Sequence, residues 1–183
     1  MNATIEFSAR RDCLLDRAVA IYAADPRFRA GWLESSLADA SAYAYSDVDL
    51  EVQIPSRFFQ VRYNGAAHPL ANVVGLSQGA NCQRFVFELL KHFGYEIGPM
   101  RSSELWEDHT FTRRVRRMQP LDILMFNRNA DAWGAHVALY LGGGRAIHLS
   151  KAVGKPVIWK LREFLKVDGC RLLVGIKRPV RRA

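Results

Sequence analysis

Phe85, Leu89 and Phe93 recur at four-residue spacing, with Val86 and Leu90 beside them. An apolar stripe of that period belongs to a helix with one buried face. The side chain of Asn81 can cap the first turn, and Gly94 can leave the helix in a left-handed conformation. The helix predicted over residues 81–93 therefore needs a second layer to cover its stripe. The downstream sequence supplies one. Residues 121–126, 136–141 and 145–149 have strand length and apolar content, and Gly142-Gly143-Gly144 joins the last two as a hairpin. Short elements at 157–159 (strand), 161–165 (helix) and 171–176 (strand) complete the order. One helix followed by an antiparallel sheet is an α+β arrangement.

Upstream, residues 12–24 read as a helix stopped before Pro26, with short strands at 29–33 and 47–54. The chain thus divides into an N-terminal helical and strand extension, residues 1–55, and a main domain, residues 56–183. At 183 residues a single core can bury roughly 70% of the surface that the unfolded chain exposes. The three cysteines, Cys13, Cys82 and Cys170, are widely spaced and form no CxxC pair. Neither a metal site nor a disulfide framework is expected from them, and no cofactor is implied.

The apolar stretch from Cys13 to Ala24 is interrupted by Asp16 and Arg17 and preceded by Glu6 and Asp12. That is unlike the basic start of a secretory leader, and no run approaches the length of a membrane span. A reduced, cytoplasmic protein without a membrane partner is the expectation. The net charge of +8 is concentrated in Arg113-Arg114-Val115-Arg116-Arg117 and Lys177-Arg178-Pro179-Val180-Arg181-Arg182. Neither cluster is interleaved with aromatic residues, so a solvated loop and a frayed tail are expected in preference to a nucleic-acid surface.

Cys82 falls in the first turn of the predicted helix, where unpaired N–H groups and the helix dipole favour an anion. Its thiol pKa is expected to be lowered. A thiolate nucleophile needs a base, and the base needs an orienting group. His136 opens one hairpin strand and His148 lies in the next. With a three-residue glycine loop, Leu141 pairs with Arg145 and Ala138 with His148. His136 and His148 are then diagonal neighbours on one face, with Cβ atoms about 7–8 Å apart. A two-residue loop would turn His148 to the other face.

Three segments carry a resemblance. Asn81-Cys82-Gln83-Arg84-Phe85-Val86 resembles the D-C-S-G-F-V start of the NlpC family of papain-like cysteine peptidases and amidases. Gln119-Pro120-Leu121-Asp122-Ile123-Leu124-Met125-Phe126 resembles its P-G-D-L-V-F-F strand. Residues 135–148 resemble its G-H-V-G-I-Y-L-G-N-G-x-M-I-H hairpin. The match runs from about residue 60 to 178. The resemblance implies a papain-like α+β core with Cys82 as nucleophile, His136 as general base and His148 as the group that orients the base. It also implies substrate contacts from Tyr63, Asn81, Gln83, Arg101, Ser103 and Trp133, and an oxyanion hole that uses backbone N–H at the nucleophile. Where cell-wall members have Asp, Ser and Gly around the cysteine, this chain has Asn81, Gln83 and Arg84. The acceptor set for the free amino end of a stem peptide is thereby lost.

Gly31-Trp32-Leu33-Glu34-Ser35-Ser36-Leu37-Ala38-Asp39 and Ser46-Asp47-Val48-Asp49-Leu50 resemble a fragment of the minimal nucleotidyltransferase fold, residues 27–54. There, paired carboxylates hold magnesium. Glu34 replaces the glycine that admits phosphate, and the segment is too short to complete that fold. His68, His92 and His109 have no comparable context. Trp106, Trp133 and Trp159 read as packing residues, with Trp133 able to wall a groove; Cys13 and Cys170 read as structural.

Three functions follow in order. The first is a cysteine hydrolase that cleaves an amide or isopeptide bond through an acyl-enzyme, on a small peptide or amide such as a peptidoglycan-derived peptide. The second is a catalytically silent module whose basic surface holds an acidic partner. The third is nucleotidyl transfer by Asp47 and Asp49.

Overall fold

The structure, a computed structural model, describes residues 52–181. The chain divides into two units, Met1–Gln53 and Ile54–Ala183, and the fold below is that of the second. The elements expected at 12–24 and 29–33, most of that at 47–54, and Cys13, Asp47 and Asp49 lie outside the described residues.

A 3-10 turn, Ser56–Gln60, opens the unit. Helix α1 spans Cys82–His92. Asn81 caps it, its Oδ1 accepting the Arg84 backbone N–H at 2.8 Å, and Gly94 follows with φ 81°. Phe85, Val86, Leu89 and Leu90 are fully buried, as the periodicity requires. A second helix, α2 (Ser102–Glu107), was not legible in six residues; Glu104 closes its first turn by accepting the Arg101 backbone N–H.

The strands are β1 (Thr112–Val115), β2 (Ile123–Asn127), β3 (His136–Gly142), β4 (Arg145–Leu149), β5 (Pro156–Lys160) and β6 (Leu172–Pro179). Helix α3 (Leu161–Phe164) and a 3-10 turn (Asp168–Cys170) lie between β5 and β6. All strands join one sheet in the order β1-β6-β2-β3-β4-β5, and every pairing is antiparallel. The last strand therefore inserts between the first two. Helix α1 packs across β3 and β4. Leu124, Phe126, Ala138, Ala146, Phe164, Cys170 and Ile176 form a core cluster, while their strand neighbours Ile123, Met125, Val137, Leu139 and Ile147 are also fully buried.

The expected loop at Arg113–Arg117 and the expected frayed tail are corrected. Arg113 and Arg114 lie in β1 opposite Arg178 and Lys177 of β6. Much of the charge has local partners. Arg114 meets Glu107 at 2.7 Å and stacks over Trp106 at 4.2 Å. Arg178 clamps Asp122 with two 2.8 Å bonds. Lys177 is fully buried and its Nζ donates to the Trp106 and Asp108 carbonyls. Backbone pairing brings these cations into a sheet whose neighbours neutralise them, which charge counting alone does not reveal.

Candidate functional site

Two chain segments converge just ahead of Cys82. Tyr63 bridges Ala80 in parallel, and the Tyr63 N–H donates to the Gly154 carbonyl at 2.8 Å. Gly79, at φ +79°, permits the approach, since a Cβ there would lie 2.6 Å from the Arg62 carbonyl oxygen. The Tyr63 phenol is pushed up in pKa by burial and by the nearby Cys82 sulfur.

Cys82 begins α1 and is half-buried. Backbone N–H groups of Val137, Gln83 and Cys82 itself favour its thiolate, but burial outweighs them and pushes the thiol up. The expected lowering is thus corrected. The helix-terminal donors are present, and desolvation of the sulfur exceeds their effect. The Val137 N–H sets the sulfur beside the strand residue that follows His136.

The hairpin geometry decides the histidines. Leu139 pairs with Ile147 and Tyr140 with Ala146, and then the register shifts so that Gly142 pairs with Arg145. The turn proper holds only Gly143 and Gly144, at φ 53° and 67°, and Gly142 takes φ 105°. A two-residue turn alone would turn His148 away. The extra residue at Leu141 is a bulge that restores the pairing expected of a three-residue loop. His136 and His148 consequently share a face, and His136 Nε2 lies 2.8 Å from His148 Nδ1. Burial lowers the His136 pKa to about 4. Burial, together with the neighbouring His136, lowers that of His148 to about 3. Both rings are neutral at neutral pH.

The side chains around Cys82 that differ from the family pattern turn inward. Asn81 caps α1. Gln83 is buried and its Nε2 donates to the Met100 carbonyl at 2.9 Å. Buried Arg84 donates to the carbonyls of His68 (3.2 and 2.8 Å), Ala71 (3.1 Å) and Val73 (2.6 Å). It thereby fastens the loop that precedes the helix, a role that spacing gave no means of finding. The side chain of Gln83 is spent on the protein, where the sequence reading assigns it to substrate.

Met100, held by Gln83, leads to Arg101, whose guanidinium stacks 5.8 Å from the Trp133 ring centre. Both are exposed, Trp133 by 60%, while Ser103 on α2 is half-buried. The Trp133 loop is braced. Asn127 Nδ2 donates to the Asp131 and Trp133 carbonyls at 2.7 and 3.0 Å, and Asp131 Oδ1 accepts the Trp133 N–H at 2.8 Å. His92 lies away from Cys82, at the far end of α1, and packs against Phe58 with a 2.9 Å bond to Arg57. Among the described residues no cluster of His, Cys, Asp or Glu could hold a metal ion, and no helix is long and apolar enough to cross a membrane.

Cys82 at the start of a helix and a hydrogen-bonded histidine pair on an antiparallel sheet lie within one α+β domain. The NlpC/P60 family profile matches residues 62–162, and the chain belongs to that family. Similar solved structures include the peptidoglycan hydrolase RipB of Mycobacterium tuberculosis, at 19% identity over 70% of this chain and 61% of that one, TM-score 0.49. The NlpC/p60 domain of the peptidoglycan hydrolase SagA is 21% identical over 56% of this chain and 79% of that one, TM-score 0.39. The P60 domain of an antigen from M. avium subspecies paratuberculosis is 15% identical over 64% of this chain and 79% of that one, TM-score 0.42. The chain therefore spans less than two thirds of RipB. No curated protein matches it.

Proposed function

We propose that this protein is a cysteine peptidase or amidase that cleaves an amide or isopeptide bond in a small peptide of the peptidoglycan-derived kind. The observation that carries the reading is the 2.8 Å bond between His136 and His148, where His136 precedes Val137, whose N–H reaches the Cys82 sulfur. A neutral His136 is able to accept a proton. The raised thiol and the depressed imidazole favour the uncharged resting pair, so ionisation accompanies attack. Sγ bonds to the carbonyl carbon as its proton passes to His136, and His148 holds the ring in place. The oxyanion meets N–H groups at the start of α1. His136 then protonates the departing amine, and water, deprotonated by His136, releases the acid from the thioester. Tyr63, beside the Cys82 sulfur, and the exposed stack of Arg101 on Trp133 are the substrate contacts that this reading assigns. Asn81, Gln83 and Arg84 are engaged within the protein, so the substrate is recognised without the acceptor set that binds a free amino end. Membership of the NlpC/P60 family supports the peptidase or amidase class.

The test is digestion of a panel of stem peptides and isopeptides with the full chain, read by mass spectrometry beside Cys82→Ala. A cleavage product absent with Cys82→Ala is expected. Intact substrates throughout, or products that persist without the thiol, would exclude the reading.

A further inference from the structure

His148 is 2% exposed, with Nδ1 on His136. Its Nε2 is the buried side-chain nitrogen that, among the described residues, has no hydrogen-bond partner. The ring sits in an aromatic box. The centroid of Trp159 is 4.4 Å away at 61°, and that of Phe164 is 4.7 Å away at 55°. Trp159 pairs with Ala146 while His148 pairs with Val157, so the indole is a diagonal neighbour on the same face, above a small residue. Phe164 is itself fixed by stacking on Phe126 at 4.6 Å and 5°. Phe126 stands opposite His136.

Two neutral rings share one bonding proton, and two arrangements satisfy the 2.8 Å contact. In one, His148 donates from Nδ1, His136 accepts at Nε2, and His136 must then carry its proton on Nδ1. In the other, His136 donates from Nε2, its Nδ1 is bare, and His148 carries its proton on the enclosed Nε2. Aromatic faces are electron-rich: an N–H directed at one is attracted, and a lone pair is repelled. His148 and Trp159 meet edge to face at 61°, and Phe164 is tilted against the imidazole at 55°, an arrangement in which an in-plane N–H can meet π density.

We propose that Trp159, backed by Phe164, is a positioning residue that holds the His148 proton on Nε2 and so presents His136 Nδ1 as the bare proton acceptor. The inference deepens the hydrolase reading and rests on it for the identity of the proton donor, Cys82. Tryptophan at this position acts through two histidines without touching the reacting atoms.

The experiment is a two-bond proton–nitrogen correlation spectrum of the isotope-labelled full chain at neutral pH, which distinguishes protonated from bare ring nitrogens. Wild type, Trp159→Phe and Trp159→Leu are compared, with alkylation of Cys82 by iodoacetamide measured on each. Expected are Nε2–H on both His136 and His148 in wild type and Trp159→Phe. In Trp159→Leu a shift toward Nδ1–H is expected, with alkylation slowed by roughly tenfold, a part of the about 10²–10⁴-fold that a positioned general base supplies. Nδ1–H on His148 in wild type, or an unaltered tautomer in Trp159→Leu, would overturn the proposal. If Trp159→Leu does not fold, the wild-type spectrum and the matching Phe variant still decide. The spectrum is read without substrate, so the expected tautomers in a protein that cleaves nothing would support this inference while removing the proposed function.

Discussion

Leu139 stands opposite Ile147 across the β3–β4 hairpin, and this pairing decides which way His148 points. It exists because Gly142, at φ 105°, absorbs one extra residue beside the Gly143-Gly144 turn. A side chain at Gly142 is therefore predicted to strain the backbone. Gly142→Val is expected to cost about 1–2 kcal/mol or more, seen as a lowered Tm, with slower alkylation of Cys82 as the histidines lose register. An unchanged Tm would mean that the bulge does not depend on glycine.

The histidine pair also sets a pH window for stability. His136 and His148 fall from an ordinary 6.5 to about 4 and about 3 in the folded protein. The unfolded chain therefore binds protons first, and stability is present above pH 6.5 and is lost as pH falls toward 4 and then 3. Each histidine contributes a slope of about 1.4 kcal/mol per pH unit inside its window. Urea unfolding across that range should show a steeper acid loss in wild type than in His148→Phe.

A shifted thiol predicts how Cys82 reacts. Its alkylation rate should rise with a midpoint above the ordinary free-cysteine value of about 8.5, because burial outweighs the N–H donors. Cys170, buried and pushed up to about 11, should react more slowly. Peptide-resolved mass spectrometry after iodoacetamide treatment at several pH values separates the two. A Cys82 midpoint well below that of a free thiol would show that the helix terminus wins after all.

How much of this was legible depends on the range of the interactions. Local period and capping gave α1 with its Asn81 and Gly94 ends, and the glycine hairpin gave two registers, of which the bulge at Leu141 selects the one with His136 and His148 on a shared face. Each rests on residues close in sequence. The α+β class and the family followed from the same segments. The insertion of β6 between β1 and β2 was not legible, because pairing of Arg113 with Arg178 is a contact across most of the domain. Burial around Cys82 was equally hidden: helix position predicts a dipole, whereas desolvation depends on what the fold stacks above the sulfur. Arg84 stands in the sequence as a departure from the family pattern, and in the structure it is a buried donor to three carbonyls of the loop that precedes α1.

That arrangement yields a stability prediction. Removing the guanidinium takes its bond from the Val73 carbonyl and one of the donors from the His68 and Ala71 carbonyls, which keep the Ala71 and Val73 backbone N–H groups. Arg84→Met should destabilise by about 1.5–3 kcal/mol, the range for losing hydrogen bonds from a charged donor. Arg84→Lys should fall between, since an ammonium cannot span all three. Chemical denaturation of the three proteins checks the order, and equal midpoints for Met and Lys would deny the guanidinium its bracing role.

Leu121 gives the opposite sign. It holds φ 72°, a left-handed conformation that costs a branched residue about 1–2 kcal/mol. The strain persists because Leu121 and Asp122 are both pinned. The Leu121 N–H donates to the Tyr140 carbonyl at 2.8 Å, and buried Asp122 accepts the Gln119 N–H at 2.7 Å while clamping Arg178. Glycine adopts this conformation freely, at a cost of about 0.5–1 kcal/mol in unfolded-state entropy. Leu121→Gly is therefore expected to stabilise the protein by up to about 1 kcal/mol, with a higher denaturant midpoint and unchanged Cys82 alkylation. A lower midpoint would mean that packing of the leucine side chain outweighs the backbone strain.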